Sequence, residues 1–336
     1  MKTRLSPPEP QRFMRFWQIP AQFDGMRADL YLTYHLKKIS RTKAQKFIQD
    51  GTFTKGGLPL APAKRLFTND NVELRVDAPD THFDIAHVKV ETVHEDQDIL
   101  VVNKPPRLAI HPSGRYYHQT LTYWLKQKYG DNYPRPCHRI DRDTSGLVVC
   151  AKNKKAQTAI KTAFQQRGVR KLYIAIAQGH LKEQQIINEP LALQGSRGLV
   201  RIRMIVDPSG LPCETLVSPL FFDEKNNRTI VACEPKTGRQ HQIRAHLAHI
   251  GHPIVGDKIY QMGDEYFNDM ILGKTVKKPE HFRHALHAFM IEFPLGNESM
   301  KLLAPLPSDM QSLIPTELIT HESLLLAVKN ALTYSI

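Results

Sequence analysis

Three stretches place side chains capable of chemistry at fixed spacing. In His138-Arg139-Ile140-Asp141-Arg142-Asp143-Thr144-Ser145-Gly146 a carboxylate, Asp141, stands between two arginines and just ahead of a Thr-Ser-Gly turn. The apolar run Leu147 to Ala151 after it is bounded by turn residues and reads as a core strand. The loop before that strand presents Asp141 at a sheet edge, where rigid scaffolds carry reactive groups. Flanking cations keep such a carboxylate charged. From charge alone two readings stay open, a reactive aspartate or a salt-bridged loop aspartate. In Arg170-Lys171-Leu172-Tyr173 the period-2 alternation puts Lys171 and Tyr173 on one face, with small Ala175 and Ala177 beside them. That leaves room for a base stacked on the ring, though a core tyrosine shows the same pattern. In Thr237-Gly238-Arg239-Gln240-His241-Gln242-Ile243-Arg244-Ala245-His246, His241 and Arg244 are three apart on an expected helix and share a face. Phosphate contact or a surface ion pair also fits Arg244.

The elements that must hold these groups can be read along the chain. Residues 1–16, with Pro7, Pro8 and Pro10 among charges, are expected to be a flexible tail. Residues 17–80 form a small α+β unit. Its first helix carries Leu30, Tyr34 and Leu36; its second opens at Ser40 as N-cap, carries Ala44, Phe47 and Ile48, and stops at Gly51. A hairpin turning at Gly56-Gly57 follows, with Val72, Leu74 and Val76 alternating on one face. After a linker at 78–87, residues 81–310 alternate strands and helices. Strands are expected near Val88–Val93, Ile99–Val102, Lys171–Ala177, Arg201–Val206, Thr215–Leu220 and Thr229–Glu234. Helices are expected at Leu121–Tyr129, from an Asn153 N-cap through Phe164, and over Ile243, Leu247 and Ile250. The class is α+β, a mixed, largely antiparallel sheet with flanking helices. Residues 311–336, with Leu324, Leu325, Val328 and Leu332 at helical spacing, form a docked terminal helix.

The 336 residues are ample for one large domain and a small one. A net charge of +13 favours a polyanionic partner such as nucleic acid. Between Lys37 and Arg65 lie Lys37, Lys38, Arg41, Lys43, Lys46, Lys55, Lys64 and Arg65 against the single acid Asp50, a one-signed surface that is either a solvated face or a phosphate-binding one. No apolar run approaches the roughly 18 residues a spanning helix needs, and the first twenty residues carry no apolar signal core. Cys137, Cys150, Cys213 and Cys233 are far apart with no Cys-x-x-Cys pair, so no zinc finger or disulfide framework is expected. His241, His246, His249 and His252 lack an acidic ligand before Asp257, and no metal is expected. The expected location is cytoplasmic.

The Asp141 run resembles the His-Arg-Leu-Asp-x-x-Thr-Ser-Gly signature of pseudouridine synthases of the RluA branch, with Ile140 for Leu. Arg170 to Tyr173 looks like that family's Lys-x-Tyr strand, and Thr237 to His246 like its Gly-Arg-x-His-Gln-Ile-Arg-x-His block. Val101-Val102-Asn103-Lys104-Pro105 with His111-Pro112, Gly256-Asp257 and Leu286-His287-Ala288 add weaker agreements, so the likeness covers about residues 85–307. Pro106-Arg107 and Arg283-His284-Ala285 depart from it and bear on substrate choice. Arg27-x-Asp29-x-x-Leu32, Ile39-Ser40-Arg41, Ile48-Gln49-Asp50-Gly51 and Asn69-Asp70 are similar to the RNA-binding module of S-four type.

The resemblance implies an isomerase that converts uridine in ribosomal or transfer RNA to pseudouridine without cofactor or metal. It implies Asp141 as the essential carboxylate, Arg244 as its pairing partner and Tyr173 against the target base. Arg139, Arg142, Lys171, Arg239 and His241 are candidates for RNA contact around the site, as are Arg41, Lys43 and Lys46 in the small unit, and the mixed loop His111 to Tyr117 is a further one. A monomer is expected. Asp143 is read as a loop or N-cap carboxylate. Two other readings compete, a catalytically silent RNA-binding protein that kept the fold and a hydrolase pairing Asp141 with Asp143. Release of free uracil marks the last; binding without isomerisation marks the silent form.

Overall fold

The structure, a computed structural model, describes residues 12–36, 39–77, 85–112, 116, 118–271, 274–296, 298–316 and 321–332. It divides into two compact units, 1–83 with 113–118, and 84–112 with 119–336. Residues 1–11 of the expected tail lie outside the described residues. So do residues 113–115 and 117 of the loop expected at His111 to Tyr117, Lys37 and Lys38, and most of the expected linker.

In the first unit β1 (Arg12–Gln18), β2 (Met26–Arg27), α1 (Ala28–His35), α2 (Arg41–Gln49), β3 (Phe53–Lys55), β4 (Leu58–Pro59), β5 (Arg65–Leu66) and β6 (Asn71–Asp77) follow one another. The sheet order is β1-β6-β3-β4, with β2 and β5 paired separately. β1 corrects the expected tail. It pairs with β6 along its whole length, Arg12 opposite Asp77 and Gln18 opposite Asn71, because Phe13, Phe16 and Trp17 give the run β propensity that the prolines before it obscure. Gly56 and Gly57 both take positive φ, 54° and 79°, which is what a two-residue hairpin turn demands. Ser40 caps α2 by accepting from the Lys43 amide at 3.2 Å.

The buried stripe of α1 is not the expected one. Leu30 and Tyr34 are 40% and 56% exposed, while Ala28, Asp29, Tyr31 and Leu32 are buried. Asp29 explains the phase. It accepts from Arg27 twice (3.0 and 2.9 Å), from Arg41 Nε (3.0 Å) and from Gln45 (2.9 Å). The Arg27 hydrogen bond foremost, with Gln45 and Arg41, holds this buried carboxyl below the usual range. Arg41 is thus committed in part to the interior of its own unit, whereas Lys43 and Lys46 stand exposed on α2.

The second unit continues with β7 (Glu91–Glu95), β8 (Ile99–Lys104), α3 (Leu121–Tyr129), β9 (Arg135–Pro136), β10 (Ser145–Ala151), α4 (Lys154–Gln165), β11 (Arg170–Gln178), β12 (Gln185–Ile187), β13 (Leu191–Leu193), β14 (Met204–Val206), β15 (Thr215–Asp223), β16 (Arg228–Pro235), α5 (Gln242–His249), α6 (Gly263–Ile271), β17 (Leu286–Leu295), β18 (Glu298–Leu303), α7 (Ser308–Gln311) and α8 (His321–Leu332). Its main sheet runs β12-β15-β16-β11-β17-β10-β8-β7, with β18 on β17 and β9 on β10. Every pairing in it is antiparallel except β10 with β17. The strand expected at 88–93 starts at Glu91, and the one expected from Arg201 is confined to Met204–Val206 after a turn. One face of the sheet is covered by α4, whose Ala156, Ile160 and Ala163 pack on Leu147, Val149, Ile99 and Val101. Another core joins Leu172, Ile174 and Ile176 to Ile243 and Leu247 of α5 and to Leu324 and Val328 of α8. The terminal helix is therefore part of this unit's core rather than an appendage.

Candidate active site

The parallel pairing of β10 with β17 sets the site. Ser145 lies opposite His287 and Gly146 opposite Ala288, so the loop that ends in β10 emerges beside the start of β17. Gly146 has φ 113°, and a β-carbon there would stand 2.3 Å from the Ala288 carbonyl oxygen, an approach only glycine allows. The loop is pinned from below. The fully buried Lys104 ammonium donates to the Arg142 carbonyl at 3.1 Å, and the equally buried Arg283 donates to the Asp143 carbonyl at 3.1 Å while pairing with Asp309. Thr144 bonds His284 Nε2 at 2.8 Å and Ser145 bonds His287 Nδ1 at 2.9 Å. His138, the first residue of the motif, accepts from the Val149 amide through Nε2 at 3.0 Å and packs on Phe164, a structural role.

Asp141 is clamped by a distant guanidinium rather than by its sequence neighbours. Arg244 donates from one terminal nitrogen to Asp141 Oδ2 at 2.8 Å. Arg142 turns to Asp143 instead, with contacts of 2.9 and 3.1 Å, and Arg139 is exposed at the rim. With Arg142 spent on Asp143, the flanking cations expected to hold Asp141 are replaced by a tertiary one, Arg244. Asp143 caps no helix, because β10 begins two residues after it at Ser145.

Arg244 is itself held on its other edge by Asp257, fully buried on the loop after α5, at 2.7 and 3.0 Å. Asp257 Oδ1 also accepts the Ile259 and Tyr260 amides at 3.0 and 3.1 Å, and the guanidinium lies 5.2 Å from the centre of the Tyr260 ring. Burial works to raise the Asp141 carboxyl, but the fields of His241, Arg244 and His284 and the Arg244 hydrogen bond outweigh it, and the net direction is well below the usual carboxylate range. Burial pushes His241 down to about 4 and His284 down to about 3, so both are uncharged at neutral pH and Arg244 is the cation that counts there. For Asp257 the Arg244 charge overcomes burial and brings the carboxyl to about 2. The sequence reading gave no role to Asp257, noted there only within the family agreement at Gly256-Asp257, and did not single out Tyr260.

Asp141, Tyr173, Lys171, Arg244, His241, Arg239 and Arg139 all line one cavity of about 300 Å³, with Leu286, Ile243 and Pro235 as apolar wall. A bulge in the β11–β17 pairing between Leu172 and Tyr173 re-aims this strand where the phenol enters the cavity. Burial, with the Asp141 charge second, raises the Tyr173 phenol, which stays protonated at neutral pH. Lys171 donates to the Thr237 carbonyl at 3.0 Å, and burial lowers its ammonium to about 8. Arg239 is exposed and its amide donates to Gln242 Oε1 at 3.0 Å. His241, expected among the RNA contacts, is turned inward with its side chain 8% exposed. Arg142, outside this lining, is tied to Asp143.

A clamped anionic carboxylate and a phenol on one cavity of about 300 Å³ are the groups an enzyme acting on a flat polar ring could use. Residues 98–249 match the family model of RNA pseudouridylate synthase. A ribosomal large subunit pseudouridine synthase D of Haemophilus ducreyi is 32% identical over 312 residues, 88% of this chain and 92% of its own. An RNA pseudouridine synthase of Helicobacter pylori is 35% identical over 216 residues, 64% of this chain and 73% of its own. Among solved structures, human RNA pseudouridylate synthase domain containing 1 is similar with a TM-score of 0.55 and 28% identity, covering 72% of this chain and 95% of that one. The chain belongs to the RNA pseudouridylate synthase family. It is an isomerase that converts uridine in RNA to pseudouridine.

Proposed function

We propose that this chain modifies uridines of large-subunit ribosomal RNA, with Asp141 as the reacting carboxylate, Arg244 as its positioning partner and Tyr173 against the target base. The observation that carries the residue assignment is the Arg244 bridge, which brings Asp141 into the cavity that Tyr173 lines. The RNA class rests on the names of relatives that match nearly the whole chain, the Haemophilus ducreyi protein above and one of Escherichia coli at 32% identity over 305 residues.

The reaction breaks the bond between uracil N1 and ribose C1′, turns the base, joins C5 to C1′ and releases the C5 proton while N1 takes one up. An ionised carboxylate beside the ribose can attack C1′ or accept a proton from the sugar, and both roles need an unprotonated Oδ. Arg244 maintains that form and fixes the carboxylate's orientation. The detached base must stay put while it turns. The Leu286, Ile243 and Pro235 wall and the Tyr173 ring give it an apolar slot. Because a target uridine in folded RNA must be extruded, at roughly a few kcal/mol in lost stacking, cations at the rim offset that cost; Arg139 and Arg239 are exposed there and Lys171 lies within. Lys43 and Lys46 of the first unit, an RNA-binding module of S-four type in this reading, add phosphate contacts. Four free thiols fit a reducing cytoplasm.

The test is a map of pseudouridines in total RNA from cells with and without the gene. One or a few large-subunit ribosomal positions lose the modification in its absence; unchanged ribosomal RNA with a lost transfer RNA site overturns the RNA class.

A further inference from the structure

His241 is the residue at the entry to α5 and takes φ 55° and ψ 16°, the left-handed region that few residues other than glycine, asparagine, aspartate and histidine adopt. The consequence of that turn is an imidazole inside the cavity. Its Nδ1 lies 3.2 Å from the Tyr260 hydroxyl, and its Nε2 has no hydrogen-bond partner among the described residues and points at Asp141, 3.9 Å from Oδ2. Tyr260 is rigidly seated: its hydroxyl accepts the Met204 amide at 2.9 Å and can give its own proton to the Met204 carbonyl or to His241 Nδ1, each at 3.2 Å. The groups facing the imidazole are Asp141, Arg244, Asp257, Arg139 and Tyr260. Of the two neutral tautomers, the one with the proton on Nε2 meets the Asp141 anion with a donor and the other meets it with a lone pair, so the Asp141 field selects Nε2–H and leaves Nδ1 to accept from Tyr260.

We propose that His241 is a catalytic hydrogen-bond donor whose Nε2–H, oriented by Tyr260, binds a carbonyl oxygen of the uracil ring after it has left the ribose. This rests on the reading of Asp141 given above. When the N1–C1′ bond breaks, its electron pair stays with the base, and the negative charge spreads onto the ring's carbonyl oxygens. A neutral donor fixed beside the ribose-facing carboxylate strengthens its hydrogen bond as that charge appears and weakens it when C5 forms the new bond. No proton changes owner. The same contact limits how far the free base drifts while it turns.

The two amide side chains separate the donor from its surroundings. In His241→Asn the amide falls where Nδ1 was, keeps the contact to Tyr260, suits the left-handed backbone and leaves nothing at Nε2. In His241→Gln the amide nitrogen reaches the Nε2 position. The assay is single-turnover release of tritium from RNA labelled at uracil C5 and purified from cells lacking the protein, with RNA affinity measured alongside on the full chain. We expect His241→Asn to be about 100-fold slower with RNA affinity within about threefold of the unsubstituted chain, and His241→Gln to regain a rate within about tenfold. Equal loss in both variants, or a full rate in His241→Asn, overturns the proposal. Full rate in His241→Asn together with loss in Asp141→Asn overturns the histidine's role alone; full rate in Asp141→Asn overturns the site reading and this role with it.

Discussion

Arg244 gives two of its nitrogens to Asp257, at 2.7 and 3.0 Å, and only one terminal nitrogen to Asp141, at 2.8 Å. The guanidinium is anchored on the buried acid and offers a single, directed hydrogen bond to the exposed-side one. This order of commitment predicts that Asp257→Asn, outside the cavity lining, slows isomerisation about 100-fold, because a small misplacement of the carboxylate proposed to react is costly. Asp257→Ala leaves a buried cation half-paired and lowers stability by about 3–5 kcal/mol. Single-turnover rates and urea unfolding check the two variants; an Asp257→Asn enzyme at full rate contradicts the anchoring.

Acid sensitivity follows from the same pair. The Asp257 carboxyl titrates at about 2 in the folded protein, below its unfolded value of about 3.9. The unfolded chain therefore binds more protons between those values, so the stabilisation is complete above the unfolded pKa and is lost as pH falls through the folded one. The melting temperature of the second unit should drop between about pH 5 and pH 2, and Asp257→Asn should flatten that drop. An identical profile in the variant counts against the pairing.

Gly146 is where the Asp141 loop meets β17. Any β-carbon would collide with the Ala288 backbone at 2.3 Å, and φ 113° is foreign to alanine. Gly146→Ala is expected to cost about 3 kcal/mol or more, measured by denaturant unfolding, with activity lost in proportion. A cost under about 1 kcal/mol would show that the parallel pairing is not what fixes the loop.

The first unit is predicted to act through charge. Lys43→Ala with Lys46→Ala should weaken RNA binding and reduce the slope of log affinity against log salt by about 0.7–0.9 for each phosphate that is no longer neutralised. Arg41→Ala should instead destabilise the unit, since Arg41 shares the buried Asp29 with Arg27 and Gln45. An unaltered salt slope in the double lysine variant speaks against this surface as an RNA-binding one.

Elements defined by local signals were legible in the sequence: Ser40 and Asn153 cap their helices as their types demand, Gly56-Gly57 turns its hairpin, and α3 spans the expected Leu121–Tyr129. The convergence of Asp141, Tyr173 and Arg244 on one cavity was implied by the family resemblance of their motifs; their spacing alone left a loop ion pair, a core tyrosine and a phosphate contact equally open. What local patterns could not assign was choice among partners, and for Asp141 only the family resemblance named Arg244. Asp141 prefers Arg244, 103 positions away, to Arg142 beside it; Asp29 draws Arg41 inward; Asp257 waits for a guanidinium that no local rule assigns to it. β17 was missed because its residues from Leu286 to Ile291 are buried on both faces, which erases the alternation that marks a half-exposed strand.

The most direct measurement is pseudouridine formation by Asp141→Asn in a single turnover, with RNA affinity determined on the same preparation. The carboxamide keeps the shape and an acceptor for Arg244 but carries no charge. The account predicts no detectable isomerisation with RNA still bound within several-fold of the unsubstituted chain; pseudouridine appearing at an unchanged rate would contradict it.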